Sequence, residues 1–177
     1  MQYREIKIEE ASRISEIDAH CYIKNAWRYN EENKGYRLIK IDWTDEELPN
    51  GYEWHLQHLK ETIENNGFAF GCFDGDNLVG YIAVNAEVFG IKEKYVLLDQ
   101  LFISKEYRNK GIGKELIRLS FSFASKCGAK KIYICAGSSE DTIAFYQKLG
   151  CRNAKEINQQ LFEEDPNDIQ LVLEIGL

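Results

Sequence analysis

The chain is poor in several residue types that would narrow its class by themselves. Proline occurs twice in 177 residues and methionine once. So little proline argues against a proline-rich linker or a collagen-like chain. Cysteine occurs five times, at Cys21, Cys72, Cys127, Cys135 and Cys151. The number is odd, the spacing is wide and no Cys-x-x-Cys is present, which argues against a disulfide framework or a zinc site. Most of these cysteines have apolar neighbours, where the residue acts as a small hydrophobe. No stretch approaches the ~18 consecutive apolar residues of a membrane span. Met1-Gln2-Tyr3-Arg4-Glu5-Ile6-Lys7 has no basic region followed by an apolar run, so no secretory leader is expected. These features together predict a reduced, cytoplasmic protein that does not use membranes. Positive charge is also in deficit. Lys and Arg total 22 against 29 Asp and Glu, a net charge of −7. That excludes a broad nucleic-acid surface and confines any phosphate site to a local patch.

What is present describes a folded chain. Hydrophobic residues are 44% and charged residues 29%, a composition able to bury a core. The length suits one domain over residues 1–177, with no repeat or linker. Residues 3–8 alternate as a strand, and from Glu9 the spacing of Ile14, Ile17 and Cys21 predicts a helix. Residues 28–43, polar and aromatic, carry no clear period. After Pro49-Asn50-Gly51, the stripe Tyr52, Leu56, Leu59 and Ile63 predicts a helix that ends at Asn65-Asn66-Gly67. Strands are expected at 68–73 and 78–88 around Asp74-Gly75-Asp76-Asn77, and at 95–103. Residues 111–127 read as a helix with Leu116, Leu119 and Phe123 on its apolar side. A strand at 131–136, a helix ending before Gly150, and strands near 151–158 and 168–175 complete the pattern. The order β-α-α-β-β-β-α-β-α-β-β implies an α/β (α+β) domain, a mixed sheet covered by helices.

The most informative segment is Arg108-Asn109-Lys110-Gly111-Ile112-Gly113-Lys114, between a buried strand and an amphipathic helix. Two glycines let the backbone turn tightly and approach a ligand, and the helix start favours an anion. A Walker loop would need Gly at 108 and Ser or Thr at 115, where this chain has Arg and Glu. A dinucleotide fingerprint would need Gly at 116, which is Leu. The remaining pattern, R-x-x-G-x-G after a strand, resembles the acetyl-CoA loop of the GNAT N-acetyltransferase superfamily. Leu101-Phe102-Ile103-Ser104-Lys105-Glu106-Tyr107-Arg108 resembles that family's strand and lead-in. Thr142-Ile143-Ala144-Phe145-Tyr146-Gln147-Lys148-Leu149-Gly150-Cys151 is similar to its A-I-x-F-Y-x-K-x-G-F helix and turn. The matching stretch covers roughly residues 68–158. Ser139 stands where the family often has Asn, and Cys151 where it often has Phe. Ser138-x-x-Asp141 fits a capping box for that helix.

The resemblance implies a mostly antiparallel central sheet and direct transfer of acetyl from acetyl-CoA to a primary amine, with no metal. It places pantetheine along Leu101, Phe102 and Ile103, and the pyrophosphate on Asn109, Lys110, Gly111, Ile112, Gly113 and Lys114, with Arg108 and Ser139 as further cofactor contacts. Tyr146 matches the family's thiolate-protonating tyrosine; its alternative is a packed aromatic. Asp99 interrupts an apolar strand, which is costly unless it is partnered or faces a wet cleft. It aligns with a carboxylate that some members use as a base; substrate binding or a structural role are its alternatives. Trp27 and Tyr36 are candidate acceptor contacts or plain packing. His55 and His58, at i and i+3, lack a third metal ligand in view. The expected acceptor is a small amine. It would be cationic if an acidic run, Asp45-Glu46-Glu47 or residues 163–168, rims the cleft. A protein N-terminus or lysine as acceptor, or a non-catalytic acyl-CoA sensor, are the alternatives. A homodimer is compatible with the sequence.

Overall fold

A computed structural model describes residues 1–30, 32–33 and 35–176. Its centre is a seven-stranded sheet in the order β1-β4-β5-β6-β7-β9-β8. The strands are β1 (Gln2–Glu5), β4 (Phe68–Asp74), β5 (Asn77–Val84), β6 (Tyr95–Ile103), β7 (Lys131–Ala136), β8 (Arg152–Asn153) and β9 (Ile169–Glu174). Among the described residues only β6 and β7 pair in parallel; every other pair in this sheet is antiparallel. Leu78 through Val84 of β5 are all buried, as a strand covered on both faces requires. A separate hairpin joins β2 (Cys21–Asn30) to β3 (Gly35–Asp45).

Helices cover both faces. On one face lie α2 (Ile112–Lys126) and α3 (Glu140–Lys148), packed on Val96, Leu98, Ile132, Ile134 and Leu171. On the other lies α1 (Tyr52–Glu64), with a 3-10 segment Ile8–Glu16; both pack on Ala69, Phe73, Leu78, Tyr81 and Ala83. Farther along this second face, Tyr95 and Tyr133 pack with Leu161 of α4 (Gln159–Glu164). Strand alternation explains the split. Val96, Leu98, Ile132 and Ile134 point to the α2/α3 side, while Tyr95, Leu97, Tyr133 and Cys135 point away.

The mixed sheet matches expectation, and several elements correct it. Residues 8–16 form 3-10 turns rather than a helix reaching Cys21, which instead begins β2. The aperiodic stretch is the β2/β3 hairpin, whose strands alternate poorly because it lies outside the main sheet and much of it faces water. The expected strand at 151–158 shrinks to Arg152–Asn153, and part of the expected final loop is α4. The buried stripe of α2 is Ile112, Gly113, Leu116, Ile117, Ser120 and Ala124, with Leu119 and Phe123 half-buried on its flank.

Candidate active site

The site begins where the parallel pair comes apart. The β6/β7 register runs from Tyr95 with Lys131 to Leu98 with Ile134 and stops. β6 continues to Ile103 and β7 to Ala136. A bulge helps to steer β6 away: Leu98 pairs with Val84 and Gln100 with Ala83, so Asp99 has no cross-strand partner on β5. Past this point, the β7-facing edge of Leu101, Phe102 and Ile103 has no strand beside it. Main-chain groups there can serve an extended amide-bearing ligand as a neighbouring strand would.

The glycine loop lies at the far end of this edge. Asn109 and Gly111 have φ of 62° and 84°, and Gly111 is the left-handed N-cap of α2. A glycine cap has no side chain to accept from the first turn, so the N–H groups of Ile112, Gly113 and Lys114 have no intrahelical acceptor. A Cβ on Gly113 would lie 3.1 Å from the Phe145 ring, so glycine permits the close approach of α2 and α3. Free donors, the positive end of a 15-residue helix, and exposed Lys110 and Lys114 suit a pyrophosphate.

Arg108 has a different setting from its neighbours in the loop. Its Nε donates to the Ile103 carbonyl at 3.0 Å, and its two terminal nitrogens to the carbonyls of His20 at 2.9 Å and Ala19 at 3.0 Å. The side chain braces the loop from behind, its three donors already engaged by main-chain oxygens. Ser139 also turns inward: its Oγ accepts from Thr142 N at 3.2 Å and caps α3. Ser138, expected to share that task, instead receives Arg28 at 2.6 Å.

Tyr146 rises from α3 and is only 6% exposed. Among the described residues, nothing hydrogen-bonds its hydroxyl, yet no fully enclosed side-chain N or O atom lacks a partner. The hydroxyl therefore keeps some contact with solvent. Burial is the main cause that keeps this phenol protonated well above its ordinary range, with Cys151, Asp168 and Cys135 adding to it.

Asp99 faces the opening from the α1 side. Its Oδ2 accepts from Gln100 Nε2 at 3.2 Å and lies 3.6 Å from His58 Nδ1. Burial raises its carboxyl above the ordinary carboxylate value; the Gln100 hydrogen bond and the two histidines oppose this. His58 stacks on Trp54 with centroids 3.6 Å apart. Gln100, passed over in the sequence, fastens α1 to β6. Its Nε2 donates to the His55 carbonyl at 3.2 Å, and its Oε1 accepts from the Tyr81 hydroxyl at 2.7 Å. His55 is buried, with Nε2 donating to Pro49 O at 2.6 Å and Nδ1 lying 3.2 Å from Gln100 Oε1. Burial lowers its pKa, which favours the neutral ring. A run of polar residues inside an apolar strand, Asp99-Gln100, was the available signal.

The hairpin closes one side. Trp27 N donates to Ser138 O at 2.8 Å, Asn25 bonds Glu140 at 2.7 Å, and the Trp27 ring packs on the core. Tyr36 is 39% exposed and meets Tyr29 edge to face at 5.5 Å. Of the two expected acceptor contacts, Trp27 thus packs and Tyr36 lies on the hairpin with its ring against Tyr29. No group of three or more His, Cys, Asp or Glu able to hold a metal occurs among the described residues. No helix there is long and apolar enough to cross a membrane. Two surface pockets of about 250 and 360 Å³ lie elsewhere, one beside Asp18, Ser104 and Tyr107 and one beside Ile6, Ile63 and Phe123.

Residues 10–151 match the acetyltransferase (GNAT) family, and the chain belongs to it. A mycothiol acetyltransferase of Corynebacterium glutamicum is 34% identical over 114 residues, 62% of this chain and 37% of that protein. The chain spans between 25% and 43% of the length of the curated relatives it matches. Among solved structures, nourseothricin acetyltransferase has a TM-score of 0.73 at 16% identity, covering 99% of this chain and 98% of that one. The PaiA N-acetyltransferase of Thermoplasma acidophilum, in complex with coenzyme A, has a TM-score of 0.60 at 17% identity, with 98% of both chains covered. These likenesses define the fold.

Proposed function

We propose that the protein is an acetyl-CoA-dependent N-acetyltransferase acting on a small cationic amine. The observation that carries this is an uncapped helix start beside an unpaired strand edge, with Asp99 and Tyr146 each in charge range of Cys135 at the end of β7. Family membership and the solved fold neighbour with coenzyme A bound support the same cofactor. The hairpin against α3 favours a compact acceptor over a folded polypeptide.

The chemistry needs a neutral amine, stabilisation of the developing oxyanion and a proton for the leaving thiolate. The Asp99 carboxylate, with His58 beside it, takes a proton from the ammonium form. The amine nitrogen then attacks the thioester carbon, and a main-chain N–H on the free edge near Leu101 faces the oxygen that gains charge. The C–N bond forms and the C–S bond breaks; the sulfur takes the proton of Tyr146, and the second proton shed by the nitrogen as it becomes an amide restores the phenol. A phenol held above its ordinary range is a weak acid, so the acceptor must be strongly basic. The groove meets that condition: Cys135, beside Tyr146, has its own thiol pushed up to about 12, mainly by burial and also by the nearby carboxylates. A thiolate released there is basic for the same reasons.

Calorimetry with coenzyme A and a free-thiol assay over an amine panel test this reading. Micromolar binding and turnover of cationic amines are expected; absence of coenzyme A binding would refute it. In Tyr146→Phe, kcat should fall about 100-fold while coenzyme A affinity is retained. Equal turnover would remove Tyr146 from the chemistry.

A further inference from the structure

We propose that Asp168 is a specificity residue of the acceptor site, forming with Asp99 a two-point clamp that selects amines carrying a second ammonium group. The inference rests on the acyl-transfer reading above and adds the acceptor's charge pattern to it.

The placement comes from strand register. Cys135 pairs with Gln170 and Ala136 with Ile169. Asp168 therefore follows directly beyond the paired end of β9, beside the end of β7. Side-chain alternation puts it on the face of Gln170 and Cys135, the face that also carries Leu97 and Asp99. Through-space effects agree. Among the carboxylates acting on the Cys135 thiol, Asp168 is the strongest, followed by Glu164, Asp99 and Asp165. Asp168 also acts on the Tyr146 hydroxyl. Asp99 and Asp168 thus lie on the strands to either side of β7, each close enough to Cys135 for its charge to act on the thiol.

Asp168 has no structural task that explains its charge. The turn before β9 is held by other groups: Asp168 N donates to Asp165 O at 3.1 Å, and Asn167 N to Asp165 Oδ1 at 3.1 Å. Among the described residues no Lys, Arg or His forms an ion pair with the Asp168 carboxylate. The side chain is partly buried, and burial pushes its pKa up to about 6. A desolvated carboxylate without a cation is costly to fold around. The Tyr146 hydroxyl, without a hydrogen-bond partner among the described residues on a residue 6% exposed, lies within range of the Asp168 charge. An ammonium group fits Asp168, with Glu164 and Asp165 extending the negative field. That ammonium stays protonated while the reacting amine loses its proton at Asp99, so the clamp needs two nitrogens on one acceptor.

The test uses the full chain, acetyl-CoA, and a series of α,ω-diaminoalkanes beside monoalkylamines of matched length. The diamine-to-monoamine ratio of kcat/KM should exceed about tenfold, roughly 1.4 kcal/mol, and peak at one chain length. Asp168→Asn should reduce that ratio about tenfold, mostly through the diamine KM. Asp168→Glu should restore most of it. Glu163→Gln, which removes a charge from an exposed position on α4, should leave it unchanged. Coenzyme A calorimetry reports whether each variant remains folded. A ratio that survives Asp168→Asn, or falls equally in Glu163→Gln, overturns the proposal. If no amine turns over, diamine affinity is read by calorimetry. Equal affinity in wild type and Asp168→Asn overturns the clamp. A retained difference without turnover supports the clamp and overturns the acyl-transfer reading alone.

Discussion

The two sides of the strand splay present opposite kinds of surface. The side toward α2 and α3 offers main-chain groups: a bare strand edge beyond Leu98 and the uncapped start of α2. The side toward α1 and α4 offers side chains: Asp99, His58 and Asp168. Backbone recognition needs only that certain side chains be absent, as at Gly111 and Gly113. Side-chain recognition needs particular groups brought from distant parts of the chain. One side suits a fixed ligand, and the other suits an acceptor that differs between relatives.

The comparison is most sharply tested at Asp99. Asp99→Asn should lower kcat/KM by about 100-fold or more, with coenzyme A affinity unchanged. In the wild type, rate should rise with pH as Asp99 ionises, with a midpoint above the ordinary carboxylate range because burial holds its pKa up. The variant should lose that limb in a pH–rate profile; a retained limb would acquit Asp99.

The opposite side should respond to bulk instead of charge. Gly113→Val places carbon against the Phe145 ring, where even a Cβ would lie at 3.1 Å, and shifts the start of α2. Coenzyme A affinity, measured by calorimetry, should fall about tenfold, roughly 1.4 kcal/mol. The diamine-to-monoamine ratio should hold; a change in both would show that the two sides are not separable.

The smallest effect concerns stability. Asp168 binds its proton more tightly in the native state, with a pKa of about 6 against an ordinary 3.8. Its contribution to stability is therefore most favourable below about 3.8, falls as pH rises toward about 6, and is flat above. Asp168→Asn should melt slightly higher than wild type at neutral pH, and the difference should vanish toward pH 4. Glu10, held at about 2 by Arg4, has the opposite sign but acts at lower pH and is common to both proteins. A constant difference across this range would assign Asp168 an ordinary titration.

The same contrast explains what could be read from sequence. β6, β7 and α2 were legible within a residue or two, because long apolar runs and a helical period are local signals. The glycine loop was legible because its function resides in consecutive residues. The hairpin was not, since Cys21–Asn30 and Gly35–Asp45 pair outside the main sheet and lack a continuous buried face. Asp99 was visible as a charge in an apolar strand. Its setting was not: Gln100, His55 and Tyr81 meet only after α1 folds over β5 and β6. Asp168 lay within an acidic run, and only the register of β9 with β7 separates it from its neighbours.

Arg108 carries a consequence for how such a protein can diverge. Its guanidinium grips the main-chain oxygens of Ala19 and His20 just before the hairpin begins. Every residue type supplies such an oxygen, so this joint places no demand on the side chains it holds. Residues 19 and 20 can change type while the loop they brace keeps its shape. A lineage built on this joint can exchange one acceptor for another without relearning how to hold its acyl donor.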